Sequence, residues 1–195
     1  MILTDKKIRE LAKKENMISP FDEASLQSES YDLSIGNEIS EFKKPVRCID
    51  LEKEQDDLYE NIDITGEEYI IAPKQYILVS LKEKIHLPNN ITAHIRPRTR
   101  FTRIGLVVSD QHCNSTYEGI LRLGVFNATD YAIKIKPNAS IAQIVFEELE
   151  EVPSEEKLYK NKKNAAYQKE KEFRGYKVPK KIMVNIDDLV NEILG

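Results

Sequence analysis

Apolar and polar residues alternate in short runs along most of this chain, and the runs end at Pro, Gly, Asn or Asp. Seven of them fit half-buried strands: 69–72, 76–81, 91–96, 106–109, 119–126, 132–136 and 141–149. Many short strands at such spacing predict an all-β sandwich or barrel. An earlier run, Ser30-Tyr31-Asp32-Leu33-Ser34-Ile35-Gly36, alternates in the same way, so Tyr31, Leu33 and Ile35 are expected to face the core, with a turn at the glycine. Helical periodicity is confined to the two ends. Ile8, Leu11 and Ala12 mark one face of a helix over residues 5–15, with Thr4 placed to cap it, Leu3 and Ile8 spaced as a hydrophobic staple, and Pro20 beyond it. From Asn185, a second short helix presents Ile186, Leu189, Val190, Ile193 and Leu194 on one side, and such a helix needs a surface to dock on.

Two stretches lack a period. Residues 50–68 are acidic and read as an exposed loop, and the Lys- and Glu-rich residues past Pro153 read as a flexible arm. The expected organisation is a β domain over 1–153 and a C-terminal arm with its terminal helix over 154–195, which is not an independent domain.

Composition narrows the picture. A chain of 195 residues buries a core as one domain. Charged residues make up 32% but the net charge is only -4, so any anion site must be local, and nucleic acid is a weak reading. Cys48 and Cys113 form neither a disulfide framework nor a metal motif, which points to a reducing interior. The N-terminus has no apolar signal region and no uncharged run reaches membrane-spanning length, so a cytoplasmic protein is expected.

One local anion site stands out. Arg96, Arg98, Arg100 and Arg103 crowd eight residues around Pro97, and guanidinium groups so close need neutralising partners. A polyphosphate would serve, because the planar fork of Arg binds phosphate oxygens in pairs. The same spacing also fits a surface strand whose arginines meet nearby acids, and spacing leaves both readings open. Zinc nucleotide deaminases, P-loop and dinucleotide-binding proteins and GxSxG hydrolases are excluded by missing motifs. His112 beside Asp110 and Cys113 does not make a nucleophile pair, because neighbours on a strand point to opposite faces.

The order of motifs resembles the dCTP deaminase and dUTPase family over most of the chain. MILTDKKIRE and PFDEASLQSESYDLSIGNEI are similar to the deaminase N-terminus, LPNNITAHIRPRTRFTRIGL to its arginine-serine motif, and TYEGILRLGVFN and IKPNASIAQIVFEEL to the two remaining signature strands. The resemblance implies a distorted β jelly roll of the dUTPase type, assembled as a homotrimer with nucleotide sites between subunits and the C-terminal arm closing over them. It implies phosphate contacts from Arg98, Arg103, Thr99 and Gln143, with Asp32 in the first motif and Mg²⁺ accompanying a deoxynucleoside triphosphate. Tyr159 and Tyr167, with Lys162 and Lys163, resemble the closing arm, where an aromatic ring stacks on a base.

The catalytic half departs from the family. Gly124 falls where the deaminases carry the glutamate that activates water, Asn114 falls where dUTPases carry an aspartate, and Thr99-Arg100 replaces a serine pair. The loop between Gly105 and Tyr117 is about two residues shorter than the deaminase form. Loss of a general base costs about 10²–10⁴-fold in rate. Two readings follow: an enzyme taking dCTP to dUTP, and onward to dUMP, with a displaced base such as Glu118, Asp110 or His112; or a catalytically silent homologue that binds nucleotide or a partner.

Overall fold

A computed structural model describes residues 1–43, 49, 51 and 58–177. Cys48 and the helix expected from Asn185 lie outside the described residues. Helix α1 (Asp5–Glu15) occupies the predicted span and buries Ile8, Leu11 and Ala12. Thr4 stands at its N-cap, but the hydroxyl makes no capping bond; only the carbonyl serves, accepting from Ile8 N at 2.9 Å. Asn16 ends the helix at φ 52°, a left-handed conformation that Asn tolerates.

The remainder is β structure joined by tight turns. The strands are β1 (Ile18–Ser19), β2 (Tyr31–Phe42), β3 (Tyr59–Asp63), β4 (Tyr69–Ile71), β5 (Tyr76–His86) and β6 (Ile91–Pro97). A one-turn helix α2 (Thr99–Thr102) precedes β7 (Leu106–Val108), β8 (Gln111–Cys113), β9 (Glu118–Asn127), β10 (Ile133–Ile135) and β11 (Ser140–Glu148). The main sheet has the order β7-β9-β5-β2-β11-β6-β8, with β1 added to β5 and β3 to β2, while β10 and β4 form a separate ribbon. The pairings are antiparallel, so the alternation in the sequence becomes one buried and one more exposed face on each strand. The inner face brings together Tyr31, Leu33 and Ile35 with Ile77, Val79, Leu123, Val125, Ile144 and Phe146, all at most 1% exposed. Each such side chain contributes roughly 1.5–3 kcal/mol on burial.

Four segments depart from expectation. Strand β2 does not turn at Gly36 but bulges there and runs on to Phe42. A Cβ at Gly36 would sit 2.7 Å from Ser80 Oγ and 2.9 Å from Leu81 O, so the glycine permits close strand approach. Within the acidic stretch, Leu58 and Ile64 are buried and the residues between them form β3, paired with β2 from Phe42↔Tyr59 to Glu38↔Asp63. Strand β5 continues past Leu81 because Glu83, Ile85 and Leu87 keep the buried alternation. Lastly, the expected flexible arm is held against the sheet as far as it is described: Leu158 is 1% exposed, Ile120 N donates to Glu170 O at 2.9 Å, and Lys169 N donates to Glu118 O at 2.6 Å.

Candidate functional site

The arginine cluster forms where β6 ends. Pro97 cannot continue the ladder, so the chain leaves the sheet at Arg98 and enters α2. Arg98 turns inward, where Nη1 pairs with Asp32 Oδ2 and donates to Ser140 Oγ at 3.2 Å. Asp32 on β2 and Gln143 on β11 are register partners, and Gln143 is also opposite Arg96 on β6, so three strands carry these residues side by side. Arg96 lies 3.6 Å from Asp110. Arg100 donates to Ser140 O at 2.7 Å and covers the Phe101 ring.

The acid-paired reading of the cluster therefore describes two of its four arginines. Acids neutralise Arg96 and Arg98, whereas Arg100 has only a carbonyl, and Arg103, exposed beside the equally exposed Thr99, has no ion pair among the described residues. Asp32 Oδ1 is buried without a hydrogen-bond partner. Taken together, Arg98, Arg100, Arg103, Thr99 and Gln143 offer donors to an anion, with Arg103 the group whose charge is least committed.

A second locus lies under the C-terminal segment. Strand β9 sets Arg122 and Gly124 on one face, two residues apart. Gly124 is opposite Leu78, and a Cβ placed on it would lie 2.4 Å from the Tyr76 hydroxyl. Tyr76 is held by ring contacts: it stacks on Phe42 at 5.9 Å, Phe42 stacks on Tyr59 at 4.7 Å, and Tyr59 meets Phe173 edge-on at 5.1 Å. Phe173 in turn lies under the Arg122 guanidinium, 4.9 Å from its centroid. A ladder of four aromatic rings thus links position 124 to Arg122. Sequence reasoning finds Gly124 but not Tyr76, Tyr59 or Phe173, because their convergence depends on strand register and on the path of the tail.

Beside this ladder opens a cavity of about 480 Å³ walled by Tyr and Phe rings, Tyr167 among them, and by the polar side chains of Gln111, His112, Asn114, Arg122 and Glu170. Burial raises the Glu170 carboxyl above the ordinary carboxylate range, opposed by the Arg174 backbone and the Arg122 charge. Tyr117, buried in the same wall, is also raised by burial. Tyr159 and Tyr167 of the C-terminal segment line this cavity together with Asn114. Arg98, Thr99, Arg103 and Gln143 do not line it.

Glu118 does not line it either. Its carboxylate sits 2.5 Å from Lys84 Nζ, and that hydrogen bond holds it below the ordinary range. Asp110 points to Arg96. His112 is exposed on β8 and, unlike Glu118 and Asp110, lines the cavity, with its ring 4.9 Å from that of His94; burial and that neighbour lower its pKa. Cys113 on the same strand is buried and its thiol is pushed up to about 12, which leaves it a poor nucleophile beside His112. No group of three His, Cys, Asp or Glu side chains among the described residues could hold a metal ion. Among the described residues no helix is long and apolar enough to cross a membrane.

Comparison with known proteins agrees with this architecture. A solved 2'-deoxycytidine 5'-triphosphate deaminase from Agrobacterium tumefaciens superposes with a TM-score of 0.61 at 20% identity, over 74% of this chain and 47% of that longer one, which establishes the fold. The dUMP-forming dCTP deaminase of Persephonella marina is 35% identical over 156 residues, covering 77% of this chain and 86% of that protein. That of Nanoarchaeum equitans is 34% identical over 190 residues, covering 88% and 94%. A family model described as dCTP deaminase-like matches residues 2–149. This mainly β chain, with its curled sheet of the dUTPase type, belongs to the dCTP deaminase-like family.

Proposed function

We propose that this protein takes up a pyrimidine deoxynucleoside triphosphate, dCTP by the names of its relatives, and that it binds the nucleotide without the family's usual proton transfer at position 124. Arg103, Arg98, Thr99 and Gln143 hold the triphosphate, and the aromatic cavity holds the base. The carrying observation is the packing of the Tyr76 hydroxyl over Gly124. It leaves neither a carboxylate nor room for one while Tyr76 remains stacked on Phe42.

Deamination at the cytosine ring needs a group that takes a proton from water and passes it to the ring and the departing amine. Glu118 is a poor substitute because Lys84 holds it as a carboxylate outside the cavity. The phosphate-binding residues and the cavity share no lining residue, which fits a homotrimer in which neighbouring subunits complete one site. Mg²⁺ enters with the triphosphate, and a reducing, cytoplasmic setting suits the buried free thiol of Cys113.

Calorimetric titration with dCTP and Mg²⁺ is expected to show saturable binding. Arg103→Ala should weaken it by roughly ten- to a hundredfold, the worth of a charge-assisted hydrogen bond of about 1.5–3 kcal/mol. Chromatography after long incubation with stoichiometric protein is expected to return dCTP unchanged. Appearance of dUTP or dUMP, lost in Arg103→Ala, would overturn the silent reading in favour of turnover; if Glu118→Gln then kept the product, Glu118 would be excluded as its base.

A further inference from the structure

Arg122 is the most constrained cation among the described residues. Its side chain is 8% exposed, and Nη1 lies 2.5 Å from Glu38 Oε1, yet the contact is off axis and neither atom completes a hydrogen bond. Its Nε, 3.9 Å from Glu170 Oε1, is also buried without a hydrogen bond. Leaving such donors unmade is costly, by about 1–3 kcal/mol or more for a charged group. A ligand that brings acceptors to them recovers that cost.

Glu170 stands beside these donors. It is 6% exposed, and its Oε1 accepts from Arg174 N at 3.0 Å, while Oε2 accepts no hydrogen bond from the described residues. The C-terminal segment delivers it there through the bridge Gly119↔Glu170. Gln111, one of the two amides in the lining with Asn114, has its Nε2 committed to Arg122 O at 2.7 Å. Where Arg122 meets the cavity, Glu170 therefore presents an acceptor next to two donors on Arg122, with the Asn114 and Gln111 amides and His112 elsewhere in the lining. Phe173 and Tyr59 provide ring faces beside them, and Tyr167 another wall.

Acceptor, donor, donor is the order that guanine shows to its partner. Cytosine carries the complement along one edge: the exocyclic amino donor, the N3 acceptor and the O2 acceptor. Uracil and thymine carry acceptor, donor, acceptor, which opposes two of the three groups. Resting on the reading that a pyrimidine deoxynucleoside triphosphate binds here, we propose that Arg122 and Glu170 are specificity-determining residues that read the cytosine edge. Arg122 donates to N3 and O2, and the Glu170 carboxyl accepts from the amino group. Uracil is rejected because O4 meets the carboxyl oxygen and N3–H meets the guanidinium, leaving buried groups unpaired.

The test is calorimetric titration of the full chain with dCTP, dUTP and dTTP, each with Mg²⁺, repeated for Glu170→Gln and Arg122→Lys. The wild type is expected to prefer dCTP by at least about tenfold. Glu170→Gln keeps the size of the side chain but can turn its amide to donate to O4, so the dCTP-to-dUTP ratio should fall about tenfold, chiefly through tighter dUTP. Arg122→Lys keeps charge against Glu38 and loses the paired donors, so dCTP should weaken while dUTP changes little. The ratio is the diagnostic quantity, since loosening of the fold would weaken all three nucleotides together. Equal binding of dCTP and dUTP by the wild type, or a ratio unmoved in Glu170→Gln, overturns the assignment while leaving nucleotide uptake standing. Absence of binding by any of the three nucleotides overturns both this assignment and the uptake on which it rests.

Discussion

Position 124 is where a single residue decides most. Its glycine is a close-approach glycine, and the group approaching it is the hydroxyl of a ring fixed by two further rings. Gly124→Glu is therefore expected to destabilise the chain by about 1–3 kcal/mol, the usual cost of overpacking. In a Tyr76→Ala background the same change should cost less, so the pair should be non-additive in a denaturant-unfolding cycle. Additive costs would mean that Tyr76 does not occupy the space. The glycine is legible in the sequence, since LRLGVFN aligns with a signature strand; its occupant is not, because Tyr76 comes from another strand and reaches Gly124 only through the β5–β9 register.

Strand β5 shows how an element can carry opposite pH responses. Glu83 is 3% exposed and burial raises its carboxyl, with Ser34 N donating to it at 2.9 Å. A raised carboxyl contributes stability that is full below its unfolded pKa and is lost as pH rises through the folded value. Lys84, the next residue, lowers Glu118, whose contribution is present above the unfolded pKa and is lost on acidification. Glu83→Gln should thus remove a decline in stability on the neutral side of the carboxylate range, and Glu118→Gln a loss on the acid side. Unfolding midpoints measured across that range check both signs, and a profile unchanged in either variant would contradict its assignment.

The C-terminal segment is the other informative element. Its charge-rich composition reads as an arm, yet Leu158 and Glu170 are buried, and Tyr159 meets Tyr117 with ring centroids 5.9 Å apart. Leu158→Ala removes a fully packed side chain, worth about 2–5 kcal/mol in a core. Most of the effect should appear as faster proteolysis after residue 153 with the β sheet intact. Protection equal to that of the wild type would show that Leu158 does not anchor the segment. The anchors are invisible in the sequence because they are single residues without a period, each matched to a partner on β8, β9 or the turn between them.

At the scale of the whole molecule, the strand runs were largely readable and the connections were not. Alternation marks β2, β5, β6, β9 and β11 because each has one largely buried face, whereas β3 and β8 are short, carry no clear alternation and are defined by their neighbours. The site divides in the same way: the arginines cluster in sequence around Pro97, but the aromatic cavity is assembled from five separate stretches. Mass measurement in solution should give a trimer if neighbouring subunits complete each site; a monomer that still binds dCTP would mean that one chain holds both halves.

The ladder of rings between Tyr76 and Arg122 also bears on the protein's history. A glutamate arriving at 124 meets the phenol of Tyr76, which is 39% exposed and must swing off Phe42 to admit it. A return of the carboxylate to 124 therefore depends on where Tyr76 rests as much as on position 124 itself.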